Sequence, residues 1–225
     1  MNTDALITYL TDYLNERDLK LISYSLMGSH LFHLANKNSD YDYLVTFAEP
    51  FDNYLSLNQP QSLTMIKFNN CDIQFMNIKR WFELAIKSNF TVLSSLYNPV
   101  YLSKELWIMK QDFSPKAVGH HLLGLINNPR QRSYMQFYSW LVLEYIIEHK
   151  VIPIHLYYQY LLANVSNLSL DEYDSISYAL QDKKQGIKTV LYEPPVKYTH
   201  EFINTLPSVK VNINAWWLKF IKELK

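Results

Sequence analysis

The hydrophobic pattern of the first half of the chain changes between helical and strand spacing. Apolar residues recur at steps of three and four across residues 5–14, which predicts an amphipathic helix. The apolar runs "LISYSLM" and "YDYLVTF" predict two strands. The runs "SLTMIKF" and "CDIQFMNI" predict two more, joined as a hairpin by Asn69 and Asn70, which tolerate left-handed turn conformations. The stretch "IKRWFELAIKS" then returns to helical spacing.

The second half is predicted to be helical. Helical spacing is found in "PKAVGHHLLGLI", "RQRSYMQFYSWLVLEYIIEHK", "IHLYYQYLLANV", "DEYDSISYALQDKKQG" and "NINAWWLKFIKELK". The fourth of these helices is expected to begin at a capping Asp171 and to end at Gly186, a residue type common at helix C-termini. The change of pattern lies near residues 110–115. We therefore expect a first domain over residues 1–112 and a helical domain over residues 113–225.

Composition narrows the class of protein. Lys and Arg together number 21 and Asp and Glu 21, so the formal net charge is zero. This balance argues against a strongly basic nucleic-acid coat, although it permits a local basic strip. The one cysteine, Cys71, cannot form an internal disulfide, which favours a reducing compartment. The N-terminus lacks the features of a signal peptide, and no apolar run approaches the roughly 18 residues of a membrane span. We expect a cytoplasmic protein with no membrane partner.

The candidate chemistry centres on "GSHLFHLANKNSDYD", residues 28–42. Asp40 and Asp42 are two positions apart, so on a strand both carboxylates point to the same side. Two anions held this close repel each other unless a cation lies between them, and hard oxygen ligands favour Mg²⁺ or Mn²⁺. Asp72, at the start of a neighbouring predicted strand, would supply a third carboxylate. The three would hold two ions about 3.5–4 Å apart that clamp an in-line displacement at phosphorus.

Gly28 and Ser29 are expected to hold the phosphates of a nucleotide. A strand that ends in Gly-Ser and turns into a helix presents free backbone N–H groups to an anion. Glycine allows a phosphate to approach the backbone closely, and Ser29 adds a hydroxyl donor. A triphosphate anchored there would place its reacting phosphorus over the metal site.

These residues and their spacing resemble the nucleotidyltransferase superfamily that includes DNA polymerase beta. The superfamily pattern is Gly-Ser, a spacer, Asp-x-Asp and a third Asp on a later strand, and Gly28-Ser29, Asp40-Tyr41-Asp42 and Asp72 fit it. The chain is similar, more closely, to the YcgL-like family of predicted nucleotidyltransferases. The stretch of that family, Gly-Ser-x-x-Tyr-Gly-Leu-Ala-x-x-x-Ser-Asp-Tyr-Asp, reads "GSHLFHLANKNSDYD" here. The resemblance covers most of residues 20–185.

The resemblance implies an α+β fold, with an N-terminal polymerase beta-like mixed sheet and flanking helices followed by a C-terminal helical bundle. It also implies a metal-dependent enzyme that transfers a nucleoside monophosphate from an NTP, such as ATP, to an acceptor hydroxyl and releases pyrophosphate. The residues expected to catalyse the reaction and to bind two Mg²⁺ or Mn²⁺ ions are Asp40, Asp42 and Asp72. The residues expected to bind the nucleotide are Gly28, Ser29, His33, Ser39 and Arg132. Because the family has a glycine where this chain has His33, that side chain either narrows the phosphate cradle or contacts a phosphate through its imidazole.

Several features also have purely structural interpretations. A surface loop with an Asx turn would explain "NKNSDYD" without a metal. Adjacent His120 and His121 point to different sides of a helix, which argues against a shared metal. The aromatic stripe in "SYMQFYSW" is more typical of a core than of a base-stacking surface. The lysines of "QDKKQG" suit a solvated helix end, although they could also contact a triphosphate.

The acceptor is open at this stage. An RNA 3′ end, a protein side-chain hydroxyl and a small-molecule hydroxyl all satisfy the chemistry, and the neutral net charge allows a short RNA end. A second hypothesis is a catalytically inactive module of the same fold that binds a nucleotide or RNA without turnover.

Overall fold

One mixed sheet contains the strands in the computed structural model, which describes residues 3–55, 65–97, 99–102, 113–187, 197–209 and 213–223. Its order is β3-β4-β2-β1-β5. The central pair β2–β4 is parallel, and the other neighbouring pairs are antiparallel. The strands are β1 (Lys20–Met27), β2 (Tyr41–Ala48), β3 (Ile66–Phe68), β4 (Cys71–Asn77) and β5 (Pro99–Leu102).

Helices cover both faces of this sheet. The helices of the first half are α1 (Thr3–Asn15), α2 (Gly28–Leu31), α3 (Phe51–Leu55), α4 (Ile78–Ile86) and α5 (Phe90–Ser95). Those of the second half are α6 (Pro115–Ile126), α7 (Ser133–His149), α8 (Tyr158–Ala163), α9 (Leu170–Gln185), α10 (His200–Ile203) and α11 (Ile213–Glu223).

The alternation of the strands divides the core into two clusters. On one face, Leu6, Leu10 and Leu14 of α1 pack with inward residues of the strands such as Val45 and Ile73. The opposite face belongs to a larger cluster that also takes in α4, α5, α6 and α7. Strand β2 is buried over its last six residues, as a central strand covered on both faces must be.

Contacts around Phe32 attach the helical half to the sheet. The Phe32 ring stacks on Tyr138 of α7 with ring centroids 4.1 Å apart, and both side chains are buried. The Tyr158 N–H at the start of α8 donates to the Phe32 carbonyl at 3.2 Å. Because Phe32 follows α2 directly, these contacts fix the helical half beside the Gly28-Ser29 turn. The division into domains 1–112 and 113–225 stays a prediction.

The predicted α+β class is confirmed: a mixed sheet with flanking helices is followed by helices in the described residues after 113. The β3–β4 hairpin forms with Asn69 at φ 52°, as its turn sequence predicts. Gly186 ends α9 at φ 82°. The predicted cap at Asp171 is wrong, because Ser169 accepts from the Glu172 N–H in a capping box, and the cap therefore lies two residues earlier. Strand β5 was not predicted.

No helix in the part of the chain that the structure describes is both long enough and apolar enough to cross a membrane.

Candidate active site

Gly28 makes room for Asp42. The antiparallel register of β1 and β2 pairs Met27 with Asp42, so the Asp42 side chain lies against the turn that follows β1. A Cβ on Gly28 would lie 2.2 Å from Asp42 Oδ2, far inside van der Waals contact, and Gly28 has a φ of +61°. Only glycine fulfils both conditions without strain. The glycine and the second carboxylate of the motif are therefore one geometric unit.

The parallel pairing of β2 and β4 brings the third carboxylate alongside. Asp42 and Asp72 are register partners on the two neighbouring strands. The register therefore fulfils the expectation that a later strand supplies an aspartate to the same side. Asp72 also pairs across the hairpin with Lys67, whose Nζ lies 3.1 Å from Asp72 Oδ1. The exposed lysine thus neutralises part of the charge at this edge of the site.

The electrostatics of Asp42 show that the carboxylates crowd one another. Burial raises its pKa first, and the negative charges of Asp72 and Asp40 raise it further. His30 and Arg132 act in the opposite direction, since their positive charge lowers the pKa of Asp42. Like charges held this close are relieved by a positive charge between or beside them.

Hydrogen bonds of the Asn36 and Ser39 side chains stabilise the loop before β2. Asn36 Oδ1 accepts from the Asn38 N–H at 2.9 Å, and Ser39 Oγ accepts from the Asn36 N–H at 3.0 Å. Asn36 Nδ2 donates to the Lys183 carbonyl at 3.1 Å, which ties the loop to the end of α9. The Asx turn that the sequence allowed is present. Asp40 follows this loop and lies in the lining of the cleft.

A cleft of about 720 Å³ opens over these groups. This size lies in the range of about 300–1,000 Å³ that is usual for small-molecule sites. Residues from both halves of the chain meet in it, since the aspartates and Ser29 line one wall and the α7 start and α9 end line the other. Of the eight residues predicted to form the site, six line this cleft: Ser29, Ser39, Asp40, Asp42, Asp72 and Arg132.

Gly28 and His33 lie elsewhere. Gly28 sits behind the Asp42 carboxylate and borders a second cavity. His33 adopts φ 58°, and its ring stacks on Tyr157 with centroids 4.9 Å apart, outside the lining of the cleft. This left-handed conformation is one that glycine adopts without strain. A contact of His33 with a nucleotide stays a prediction.

The model of the RlaP family, described as the RNA repair pathway DNA polymerase beta family, matches residues 3–206. The chain belongs to this family. The polymerase beta type of the family makes the chain a nucleotidyltransferase, which confirms the resemblance drawn from residues 28–42 and Asp72. No curated protein matches the sequence. The solved structures to which the chain is similar include a spectinomycin adenyltransferase from Enterococcus faecialis with ATP and spectinomycin, at 16% identity and a TM-score of 0.46 over 95% of this chain and 97% of that chain.

The donor set of this RlaP-family site fits a metal ion that arrives with phosphates. No three His, Cys, Asp or Glu side chains within the described ranges already converge as a cage for an ion. Mg²⁺ usually binds through one or two carboxylates and completes its coordination with water and substrate phosphates. Asp42 and its neighbours supply that number of hard oxygen ligands, and the absent Cβ of Gly28 leaves Asp42 free to face the cleft.

Sequence reasoning missed several residues of the site. Tyr134 and Lys183 line the cleft together, with Lys183 Nζ 5.2 Å from the Tyr134 ring centroid. His30 stacks on Tyr41 at 4.1 Å, and its buried Nε2 has no hydrogen-bond partner in the described structure. The position of His30, directly after Gly28 and Ser29, is a sequence signal that could have identified it as a candidate site residue. The approach of Tyr134 and Lys183 depends on tertiary packing and leaves no local signal.

Gly28→Ala is predicted to lower both stability and nucleotide binding. The left-handed backbone alone costs an alanine about 1–2 kcal/mol, and the new Cβ displaces Asp42 as well. Urea unfolding and calorimetry with a nonhydrolysable triphosphate and Mg²⁺ measure the two effects. Gly124→Ala is the matched control, because its added Cβ would meet no atom within 4 Å beyond its chain neighbours and the backbone of its own helix. A Gly28→Ala protein with wild-type stability and binding would refute the role of Gly28.

Asp42→Asn is predicted to stabilise the protein when metal and nucleotide are absent. The folded-state pKa of Asp42 is raised, so ionising this carboxyl costs more in the folded than in the unfolded protein. The penalty is complete above the folded pKa and disappears as pH falls below the unfolded pKa. In a chelating buffer, the Tm of the variant should exceed that of the wild type at about pH 7, and the difference should shrink toward about pH 4.

The exposed Asp52 offers a control substitution, Asp52→Asn, which should leave the Tm difference near zero at both pH values. An Asp42→Asn protein that melts below the wild type at neutral pH would show that the carboxylate is stabilised by its surroundings, contrary to this description.

Proposed function

We propose that the protein is a metal-dependent nucleotidyltransferase that transfers a nucleoside monophosphate from an NTP to an acceptor hydroxyl, an RNA 3′ end or a protein side chain, with release of pyrophosphate. The observation that carries the proposal is the cleft in which Asp40, Asp42 and Asp72, on the same wall as Ser29, lie across from Arg132 and Lys183. Anionic and cationic side chains on facing walls match the two parts of a metal–triphosphate. The single cysteine, which cannot form an internal disulfide, is consistent with a place in the cytoplasm.

The triphosphate would lie along the Ser29 side of the cleft. The Ser29 hydroxyl can donate to a phosphate oxygen, and Arg132 adds a charge that is not lost near neutral pH. The buried Nε2 of His30 is a further candidate donor, because it lacks a partner and lies close enough to Asp42 to lower its pKa. Binding of the anion would thus give His30 Nε2 the partner that it lacks in the described structure.

The base would lie toward the far wall of the cleft. Tyr134 supplies a ring face there, and Lys183 supplies a cation beside that ring. Base–aromatic stacking contributes about 1–3 kcal/mol and tolerates every base. Asn36, which joins this wall to the loop of Asp40, would hold the two sides at a fixed separation.

Asp40 and Asp42 would hold two Mg²⁺ or Mn²⁺ ions, with Asp72 as a ligand on the side of the attacking hydroxyl. The bound ions would lower the pKa of that hydroxyl and neutralise the charge that develops at phosphorus. Asp72 would accept the proton of the hydroxyl. For this, Lys67 must release Asp72, which costs little because the lysine side chain is 73% exposed.

The identity of the acceptor follows from this proposal only in part. The family description names an RNA repair pathway, which favours the RNA 3′ end over the protein hydroxyl. The walls of the cleft described so far serve the nucleotide and do not decide between the two acceptors.

A double variant, Asp40→Ala/Asp42→Ala, is predicted to abolish transfer. The wild type, the double variant and an Asp52→Ala control should be incubated with each α-labelled NTP, Mg²⁺ or Mn²⁺, cellular RNA and cellular protein. Label should move onto RNA or protein with the wild type and the control alone, and the labelled band names the acceptor class. Removal of a metal-bound carboxylate commonly costs several orders of magnitude, so the loss should exceed about 10²-fold.

Two outcomes contradict the proposal. Triphosphate binding without transfer under either metal would identify an inactive binding module. Absence of both binding and transfer would mean that the carboxylates remain as part of the fold without serving as a site.

A further inference from the structure

A second cavity borders the same carboxylates. Its volume is about 300 Å³, and it lies between the strands β1, β2 and β4 of the sheet, α5, α6 and the start of α7. Asp42, Asp72 and Gln131 line both this cavity and the larger cleft. The two spaces therefore meet at the groups to which the chemistry has been assigned.

In-line displacement requires the attacking hydroxyl and the leaving pyrophosphate on opposite sides of the reacting phosphorus. If the triphosphate occupies the cleft with the basic wall, the hydroxyl must approach the carboxylates from another direction. The second cavity offers that approach, because it reaches Asp42 and Asp72 without passing Arg132 or Lys183.

The walls of this cavity differ from those of the cleft. Phe90, Leu125 and Met135 supply apolar surface, while Thr91, His121 and Gln131 supply hydrogen-bonding groups. Among the described residues that line it, none is Lys or Arg. Burial lowers the pKa of His121, which keeps its imidazole neutral near neutral pH. Away from Asp42 and Asp72, where it meets the cleft, the cavity therefore suits an uncharged group with polar atoms at its edges.

We propose that this cavity is the acceptor pocket and that it receives one uncharged, hydroxyl-bearing nucleoside or sugar ring. The inference rests on the proposed function. The ring would lie against Phe90 and Met135, and its heteroatoms would meet Thr91, His121 and Gln131. The acceptor oxygen forms a bond to the α-phosphorus, the bond from that phosphorus to the bridging oxygen breaks, and pyrophosphate leaves with the electron pair. The proton of the hydroxyl passes to Asp72.

Size and polarity argue against a protein side chain. A volume of about 300 Å³ is at the lower end of small-molecule pockets, so it holds one ring system and excludes a folded segment. A serine or threonine would leave most of the apolar wall empty. A tyrosine ring would fill it but has no heteroatoms to meet Thr91, His121 and Gln131 around its edge.

Thr91→Trp tests the pocket, because Thr91 is exposed at its rim and a tryptophan there would fill the space without disturbing the core. Thr205→Trp, also on the surface but lining neither cavity, is the matched control. His121→Gln and His120→Gln form a second pair, since His120 bonds instead to His200 and Asn204.

Binding is measured first, so that the result does not depend on turnover. A fluorescently labelled RNA pentamer with a free ribose diol at its 3′ end, and free adenosine as competitor, are titrated onto each protein with and without Mg²⁺ and a nonhydrolysable triphosphate. Thr91→Trp should weaken binding of the pentamer and of adenosine about tenfold or more and leave the triphosphate Kd unchanged. His121→Gln should weaken binding of the same two ligands by a smaller factor and also leave the triphosphate Kd unchanged. Both controls should bind as the wild type does.

Transfer from an α-labelled NTP to the pentamer, to adenosine and to a tyrosine-containing peptide is then compared. Transfer to the pentamer alone identifies the terminal nucleoside of an RNA as the source of the ring, and equal transfer to adenosine identifies a free small molecule. Wild-type transfer to the peptide, or Thr91→Trp activity and binding equal to the wild type, overturns the pocket assignment and leaves the proposed function intact. A wild type that binds the pentamer but no triphosphate overturns the proposed function instead.

Discussion

The close approach of Asp42 to the backbone of Gly28 is the constraint on which the site depends. A side chain at position 28 would collide with the carboxylate, and a side chain would also resist the left-handed backbone at that point. With glycine there, the turn after β1 can run directly beside the end of β2. The register of the sheet then sets the remaining geometry, because β1 pairs Met27 with Asp42 and β4 pairs Asp72 with Asp42. The absence of a Cβ at Gly28 thus leaves space for Asp42, beside which the neighbouring strand places Asp72.

This arrangement accepts an electrostatic penalty in the free protein. Burial, and after it the charges of Asp72 and Asp40, raise the pKa of Asp42, while His30 and Arg132 lower it and Lys67 pairs with Asp72. A site of this kind is less stable alone than when its ligand is bound, and the difference is available as binding free energy. It also explains why no ready-made cage for an ion exists in the described residues: the phosphates of the substrate are needed to complete one.

The sequence predicted those parts of the site that depend on local periodicity. Alternation along "YDYLVTF" and "CDIQFMNI" predicted Asp42 and Asp72 on one side of adjacent strands, where the structure has them, and the glycine marked the turn. Asp40 was expected on the same strand but lies in the loop just before β2. The other wall could not be predicted in this way, because the contact of Asn36 with Lys183 joins residues 147 positions apart. Tyr134 lies in an aromatic stripe that periodicity assigns to the core, and only the packing of α7 turns this residue toward the cleft. The sequence likewise does not determine which side of its helix His121 faces, and the structure shows it in the lining of the second cavity.

Anomalous diffraction from crystals grown with Mn²⁺ and a nonhydrolysable triphosphate would test the central claim most directly. We expect anomalous peaks at coordination distance from Asp42 and from its neighbouring carboxylates, with the phosphates completing the ligand set. No such peaks are expected when the triphosphate is omitted at the same Mn²⁺ concentration. A triphosphate bound with Mn²⁺ away from Asp42, or Mn²⁺ held by the carboxylates equally well without any nucleotide, would contradict it.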